Sequence, residues 1–154
     1  FDYIFISSGS VSLFTDISQC KKILRKLKEM LSPGGIFVFA VETMADRCPD
    51  DSEYKVTVSE KTREGYDLLL KTRNYYDEQS QTQFSPGIYE LYHGDKLLQR
   101  EVMDFQTHLY QSGEMEQYLD EIGFQNVKTY SSFDRSSSVD HPCERFLFEC
   151  RAEA

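Results

Sequence analysis

FDYIFI (residues 1–6), SSGSVSLF (7–14), TDISQCKKILRKLKEMLS (15–32) and PGGIFVFAVET (33–43) decide the fold. The first and last stretches carry apolar runs, β-branched or aromatic, with almost no alternation. Such runs suit strands covered on both faces, as in a parallel sheet. The segment between them is long enough for a crossover helix. The order is therefore strand, polar loop, helix, tight turn, strand: a βαβ unit. Asp16 with Gln19 three residues on reads as a capping box. Cys20, Ile23, Leu24, Leu27, Met30 and Leu31 recur at helical spacing and make one buried face. The lysines and Arg25 between them form a solvated face, with cations near the helix C-terminus. The competing reading, a basic phosphate patch, is the weaker. Pro33-Gly34-Gly35 ends the helix and turns the chain. These glycines precede a strand, whereas a phosphate cradle needs them at a helix start.

The strand FDYIFI, the helix ending in LSPGG and the strand IFVFAVET resemble the fourth strand, the following helix and the fifth strand of class I S-adenosylmethionine-dependent methyltransferases. The resemblance implies an α/β, Rossmann-like methyltransferase sheet, represented by its C-terminal strands and carrying an antiparallel β insertion. The family's Gly-rich first motif is missing from these residues. The chain is therefore expected to be the C-terminal part of a larger protein, or one piece of a split one. Residues 1–53 would be part of the cofactor domain, 54–111 the insertion that caps the substrate, and 112–154 the last helix and terminal strand hairpin.

The 154 residues are enough for a real core. There is no apolar run near the roughly 18 residues of a membrane span, and no signal peptide opens the sequence. The net charge of −9 argues against a nucleic-acid backbone as partner. Four cysteines show no C-x-x-C spacing, and Cys20 and Cys150 read as buried thiols. His141-Pro-Cys143 is half a metal site with nothing to complete it, so no metal is expected. A reducing cytosol is the default compartment.

Glu53 to Lys61 alternates as a half-buried strand. Tyr66 to Asp77 reads as a second strand, and Glu78 to Ser85 as a loop. Ile88–Tyr92 and Leu97–Tyr110 read as a hairpin turning at Gly94-Asp95, a register that pairs Tyr92 with Leu97 and Tyr89 with Arg100. Ser112 is expected to cap a helix that Gly123 ends. Asn126–Phe133 and Glu144–Cys150 would be the last two strands, joined by a polar loop over residues 134–142.

Ligands of open α/β sheets bind beyond the carboxyl ends of the strands. Ser7, Ser8, Gly9 and Ser10 lie there, small enough for close approach and able to bond a carboxylate or amine. The resemblance places them beside the methionine part of S-adenosyl-L-methionine. Glu42 and Thr43 share that rim and face either the substrate or water. His108 and Tyr110 are the candidate catalytic pair, on a polar strand face where His108 could act as a general base. Arg73 could clamp a substrate carboxylate with Tyr75 on the same face, or make an ordinary cross-strand ion pair. The implied activity is methyl transfer to nitrogen or oxygen of a small molecule, without nucleic acid or membrane. The alternative is an inactive, methyltransferase-like binding domain. If residues 1–154 were made alone, FDYIFI would be an open sheet edge, and association through it, as a dimer or as aggregates, is expected.

Overall fold

The computed structural model describes residues 1–131 and 143–153. They divide into two compact units, Phe1–Arg47 with Thr107–Ala154, and Cys48–Gln106.

The first unit is built on strand β2 (Ile36–Glu42), paired in parallel with β1 (Tyr3–Ile6) across helix α1 (Ile17–Met30). The helix starts as the sequence requires: Asp16 Oδ1 accepts the Gln19 N–H at 3.0 Å. The C-terminal strand β11 (Arg145–Arg151) pairs antiparallel with β2 along its whole length, from Arg145–Glu42 to Arg151–Ile36. The preceding strand β10 (Gln125–Tyr130) lies outside it, so the sheet order is β1-β2-β11-β10. This register puts Phe37, Phe39 and Val41 on one face with Cys150, Phe148 and Phe146. Phe39 stacks on Phe37 (centroids 4.6 Å apart) and on Phe148 (5.3 Å). Cys20 and Leu24 of α1, and Met115 and Leu119 of helix α2 (Glu114–Ile122), complete that core.

β1 departs from the expectation of a strand buried on both faces. Ile4 and Ile6 pack on the core, but Tyr3 and Phe5 are 53% and 67% exposed. The reason is position: β1 is the edge of the sheet as described, and both helices lie on the Ile4 face. The α2 cap also differs. Gly113, not Ser112, is the N-cap, without a side-chain bond, and the Glu114 carboxylate takes the Gln111 N–H at 3.0 Å instead. The expected loop over residues 134–142, His141 included, lies outside the described residues.

The second unit is all strand. β3 (Lys55–Lys61), β4 (Asp67–Thr72), β7 (Gly87–His93) and β8 (Lys96–Met103) form an antiparallel sheet in that order. Tyr66–Asp77 is interrupted after Thr72, so Tyr75–Asp77 is a separate strand, β5, paired with β6 (Thr82–Phe84) inside the expected loop. Leu97–Tyr110 is likewise broken after Met103, and Gln106–His108 is its own short strand, β9. The hairpin pairs Tyr92 with Leu97 as expected, but a bulge then sets Tyr89 against Glu101 and gives Arg100 to Glu90. That shift has a consequence: Glu90 is buried at 3% and held by Lys71 (2.7 Å), Arg100 (2.9 Å) and the Tyr92 hydroxyl (3.0 Å). β3 is exposed along its whole length rather than half-buried, because it is an edge strand.

Phe39→Ala removes a ring with no exposure from the centre of the aromatic stack, and should lower unfolding stability by about 3–5 kcal/mol in urea titration. Phe5→Ser, on the open face, should cost no more than about 0.5 kcal/mol.

Candidate functional site

The carboxyl ends of β1 and β2 lie side by side, and two segments converge on them. After β1 the chain makes a tight turn in which Ser8 and Gly9 both have positive φ, 58° and 67°. The Ser10 N–H closes it on the Ser7 carbonyl at 3.3 Å, and the Ser10 hydroxyl donates to the same oxygen at 3.0 Å. Positive φ at a serine is an uncommon, strained conformation. A 3-10 turn, Ser10–Leu13, follows and brings Ser12 under β2, where its buried hydroxyl accepts the Glu42 N–H at 2.8 Å.

Glu42 is thereby pinned by its backbone, with its side chain laid over the turn. A Cβ at Gly9 would fall 3.0 Å from Glu42 Cγ and Oε1. Glycine is favoured twice here, for its φ and for this contact. Partial burial pushes the Glu42 carboxyl above the usual carboxylate range, and the neighbouring Asp46 adds to the rise; Arg145, at 3.4 Å, opposes it. Ser7 and Ser8, in the same turn, stay exposed. Thr43 is placed differently: it is buried, its hydroxyl donates to the Cys143 carbonyl and accepts the Ala45 N–H.

His108 and Tyr110 are brought together, and both are buried, at 2% and 1% exposure. Their rings meet edge to face at 4.5 Å. The His108 Nε2–H points to Glu114 Oε1 at 2.8 Å, and the same oxygen accepts the Tyr118 hydroxyl at 2.8 Å. With the Gln111 N–H, Glu114 is a carboxylate with three donors. Burial alone would raise its pKa, but the bonds from His108, Gln111 and Tyr118 outweigh it and hold the carboxyl below its ordinary value. The Tyr110 hydroxyl lies 3.6 Å from Cys20 Sγ, and burial pushes the pKa of each upward. The Tyr110 backbone reaches the rim: its N–H donates to the Glu42 carbonyl at 2.9 Å, and Tyr110 bridges Thr43.

Arg73 and Tyr75 belong to the other unit. The Arg73 guanidinium lies over the Tyr75 ring at 5.8 Å and donates to the Asp51 carbonyl at 3.2 Å, while Tyr75 stacks on Phe84 at 4.9 Å. Among the described residues no group of three His, Cys, Asp or Glu is placed to hold a metal, and no helix is long and apolar enough to cross a membrane. Sequence reasoning missed Glu114, Ser12, Asp46 and Arg145. Glu114 and Tyr118 could have been found from their i, i+4 spacing. Arg145 could not, because only the β2–β11 register brings it to Glu42.

No protein-family profile matches the sequence, and no curated protein matches it significantly. Solved structures do share its fold. They include an S-adenosylmethionine-dependent methyltransferase from Clostridium acetobutylicum (TM-score 0.72, 15% identity). The sugar N-methyltransferase KedS8 from a Streptoalloteichus species follows at TM-score 0.71 and 15% identity. CalS10, an amino pentose methyltransferase from Micromonospora echinaspora solved with S-adenosylmethionine bound, aligns at TM-score 0.64 and 12% identity. The matches cover 100%, 100% and 99% of this chain but 59%, 57% and 58% of those proteins. The chain thus has a methyltransferase fold and spans under two thirds of the length of these structures.

Because the Glu114 pKa is lower folded than unfolded, its stabilisation is complete above the unfolded value of about 4.3. It is lost as pH falls through the folded value. Glu114→Gln should flatten this acid limb of stability, measured by thermal melts from pH 7 to pH 3. Glu114→Ala should cost about 2 kcal/mol at pH 7, through the buried donors it orphans.

Proposed function

We propose that this chain carries the acceptor side, and the methionine-facing edge of the cofactor site, of an S-adenosyl-L-methionine-dependent methyltransferase acting on an amine of a small molecule. The observation that carries the proposal is the Glu42 carboxylate laid on the Ser7–Ser10 turn at the carboxyl ends of two adjacent parallel strands. The likeness in fold to a sugar N-methyltransferase and an amino pentose methyltransferase supports it.

The residues present fit such a cofactor. The turn has no bulky side chain, and the exposed Ser7 and Ser8 offer hydroxyls to a carboxylate or ammonium. When bound, the cofactor supplies an electrophilic methyl on a sulfonium. The chain's own contribution is to the nucleophile. An amine is an ammonium at neutral pH and has no lone pair to offer. Glu42, with Asp46 beside it, attracts that cation and takes one of its protons onto the carboxylate, leaving the nitrogen lone pair free. A carboxyl with a raised pKa is the better proton acceptor. Ser12 and the Tyr110 N–H fix the Glu42 backbone, so the carboxylate is positioned before the acceptor arrives. His108 and Tyr110 act behind the rim, by holding the segment that bonds Glu42. Thr43 has the same supporting role.

The test is transfer of a labelled methyl to a panel of amines and alcohols by the natural polypeptide that carries this chain. Amine methylation is expected, rising with pH through a value above the ordinary carboxylate range. Glu42→Gln should lower kcat by about 10²–10³-fold and remove that limb. Alcohol-only transfer, or an unaffected Glu42→Gln variant, would refute the assignment of Glu42. Absence of cofactor binding would refute the enzyme reading and favour a binding domain.

A further inference from the structure

The end of the first unit far from the rim carries a cleft of about 440 Å³. The β2–β11 ladder runs from Glu42 and Arg145 at the rim to Ile36 and Arg151 near the cleft, roughly 20 Å along the strands. Leu31, Pro33, Ile122 and Ala152 are the apolar part of the lining, and Arg25, Lys28, Glu29 and Glu153 the charged part. Bonds between segments distant in the sequence tie the walls together. The Lys28 ammonium donates to the Ile122 carbonyl at 3.1 Å and so joins α1 to the end of α2. The Gly34 N–H donates to the Glu153 carbonyl at 3.1 Å, and the Ala152 N–H to the Gly35 carbonyl at 2.9 Å. The Arg151 guanidinium donates to the Gly34 carbonyl at 3.1 Å. These bonds fix the turn before β2 against the chain after β11. The cleft is therefore held by the fold itself, and its volume falls in the roughly 300–1,000 Å³ range of small-molecule sites.

The chain has a net charge of −9, yet cations prevail in this cleft. Glu29 is already paired with Lys26 at 2.9 Å. Glu121, on which the Arg25 charge acts, is bonded to Lys21 at 2.6 Å and to Gln117 at 2.9 Å. The Arg25 guanidinium and the Glu153 carboxylate make no hydrogen bond or ion pair among the described residues. Lys28 spends one donor on the Ile122 carbonyl and keeps two. The groups left over are two cations, one carboxylate and an apolar lining.

We propose that this cleft binds a free α-amino acid with an apolar side chain. The ligand carboxylate bonds the Arg25 guanidinium and the spare donors of Lys28. Its ammonium meets Glu153, and its side chain covers Leu31, Ile122 and Ala152. Simpler ligands fit less well. Inorganic phosphate would satisfy the cations, but it meets Glu153 as a like charge and leaves the apolar lining wet. An apolar acid without an amine would desolvate Glu153 and give it no partner, which is costly. An apolar amine without a carboxylate would do the same to Arg25. A zwitterion with an apolar side chain answers every group, and the mismatches reject the others. The assignment is independent of methyl transfer, and none of these residues belongs to the rim.

The test is isothermal titration calorimetry of the natural polypeptide that carries this chain, with L-leucine and L-phenylalanine as probes and circular dichroism to confirm folding of each variant. Saturable binding of at least one of the two, at one site per chain, is expected. The matching acid without the amine (4-methylpentanoate or 3-phenylpropanoate), the methyl ester, and glycine should each bind at least about tenfold more weakly, since each lacks one of the three contacts. Arg25→Gln should raise Kd at least about tenfold, and Glu153→Gln about fivefold. Saturating S-adenosylhomocysteine should not displace the amino acid. No binding of either probe up to about 10 mM would overturn the proposal. So would an unchanged Kd for Arg25→Gln, equal affinity for the acid without the amine, or displacement by S-adenosylhomocysteine.

Discussion

The first unit depends on one pairing, the antiparallel ladder between β2 and β11. A strand more than a hundred residues downstream is set against Ile36–Glu42, so that Phe148 meets Phe39 and Arg145 meets Glu42. The first contact closes the core. The second places a guanidinium at the rim, where it tempers a carboxylate that burial and Asp46 would otherwise drive further upward. The same ladder thus fixes both the packing and the electrostatics of the candidate site. Local chemistry adds the rest: the Ser8–Gly9 turn makes room for Glu42, and Ser12 and Tyr110 bond its backbone from two sides.

The polar groups are ranked by burial. Glu114 is half enclosed and survives as a carboxylate because three donors converge on it. Glu90 solves the same problem with two cations and a phenol. Both are examples of a buried charge made tolerable only by complete satisfaction. Glu42 is different. Its environment raises its pKa instead of lowering it, because burial and Asp46 outweigh Arg145.

The βαβ unit was legible in the sequence because its signals are local. Apolar runs, the Asp16 cap, the helical spacing of Cys20 and Leu24 and the Pro33-Gly34-Gly35 turn each act within a few residues. The exposure of Tyr3 and Phe5 was not legible, since burial depends on which element lies beyond a strand and not on the strand's composition. The breaks after Thr72 and Met103 and the bulge near Leu98 were missed for a related reason: strand continuity is set by cross-strand partners, and β propensity runs through such breaks. At the site, Ser7 to Ser10 and Glu42 could be read from their place after two strands. His108 and Tyr110 stood out as polar residues, yet the contact of Cys20 with Tyr110, ninety residues apart, is made only by tertiary packing.

The central claim is that the carboxyl ends of β1 and β2 form the ligand rim. The direct measurement is an NMR titration of the natural polypeptide, isotopically labelled, with S-adenosylhomocysteine. The amide signals of Ser7–Ser10 and Glu42 should shift saturably, with Tyr110 following through its bond to the Glu42 carbonyl. Saturable shifts confined to Cys48–Gln106, or none at all, would contradict the account.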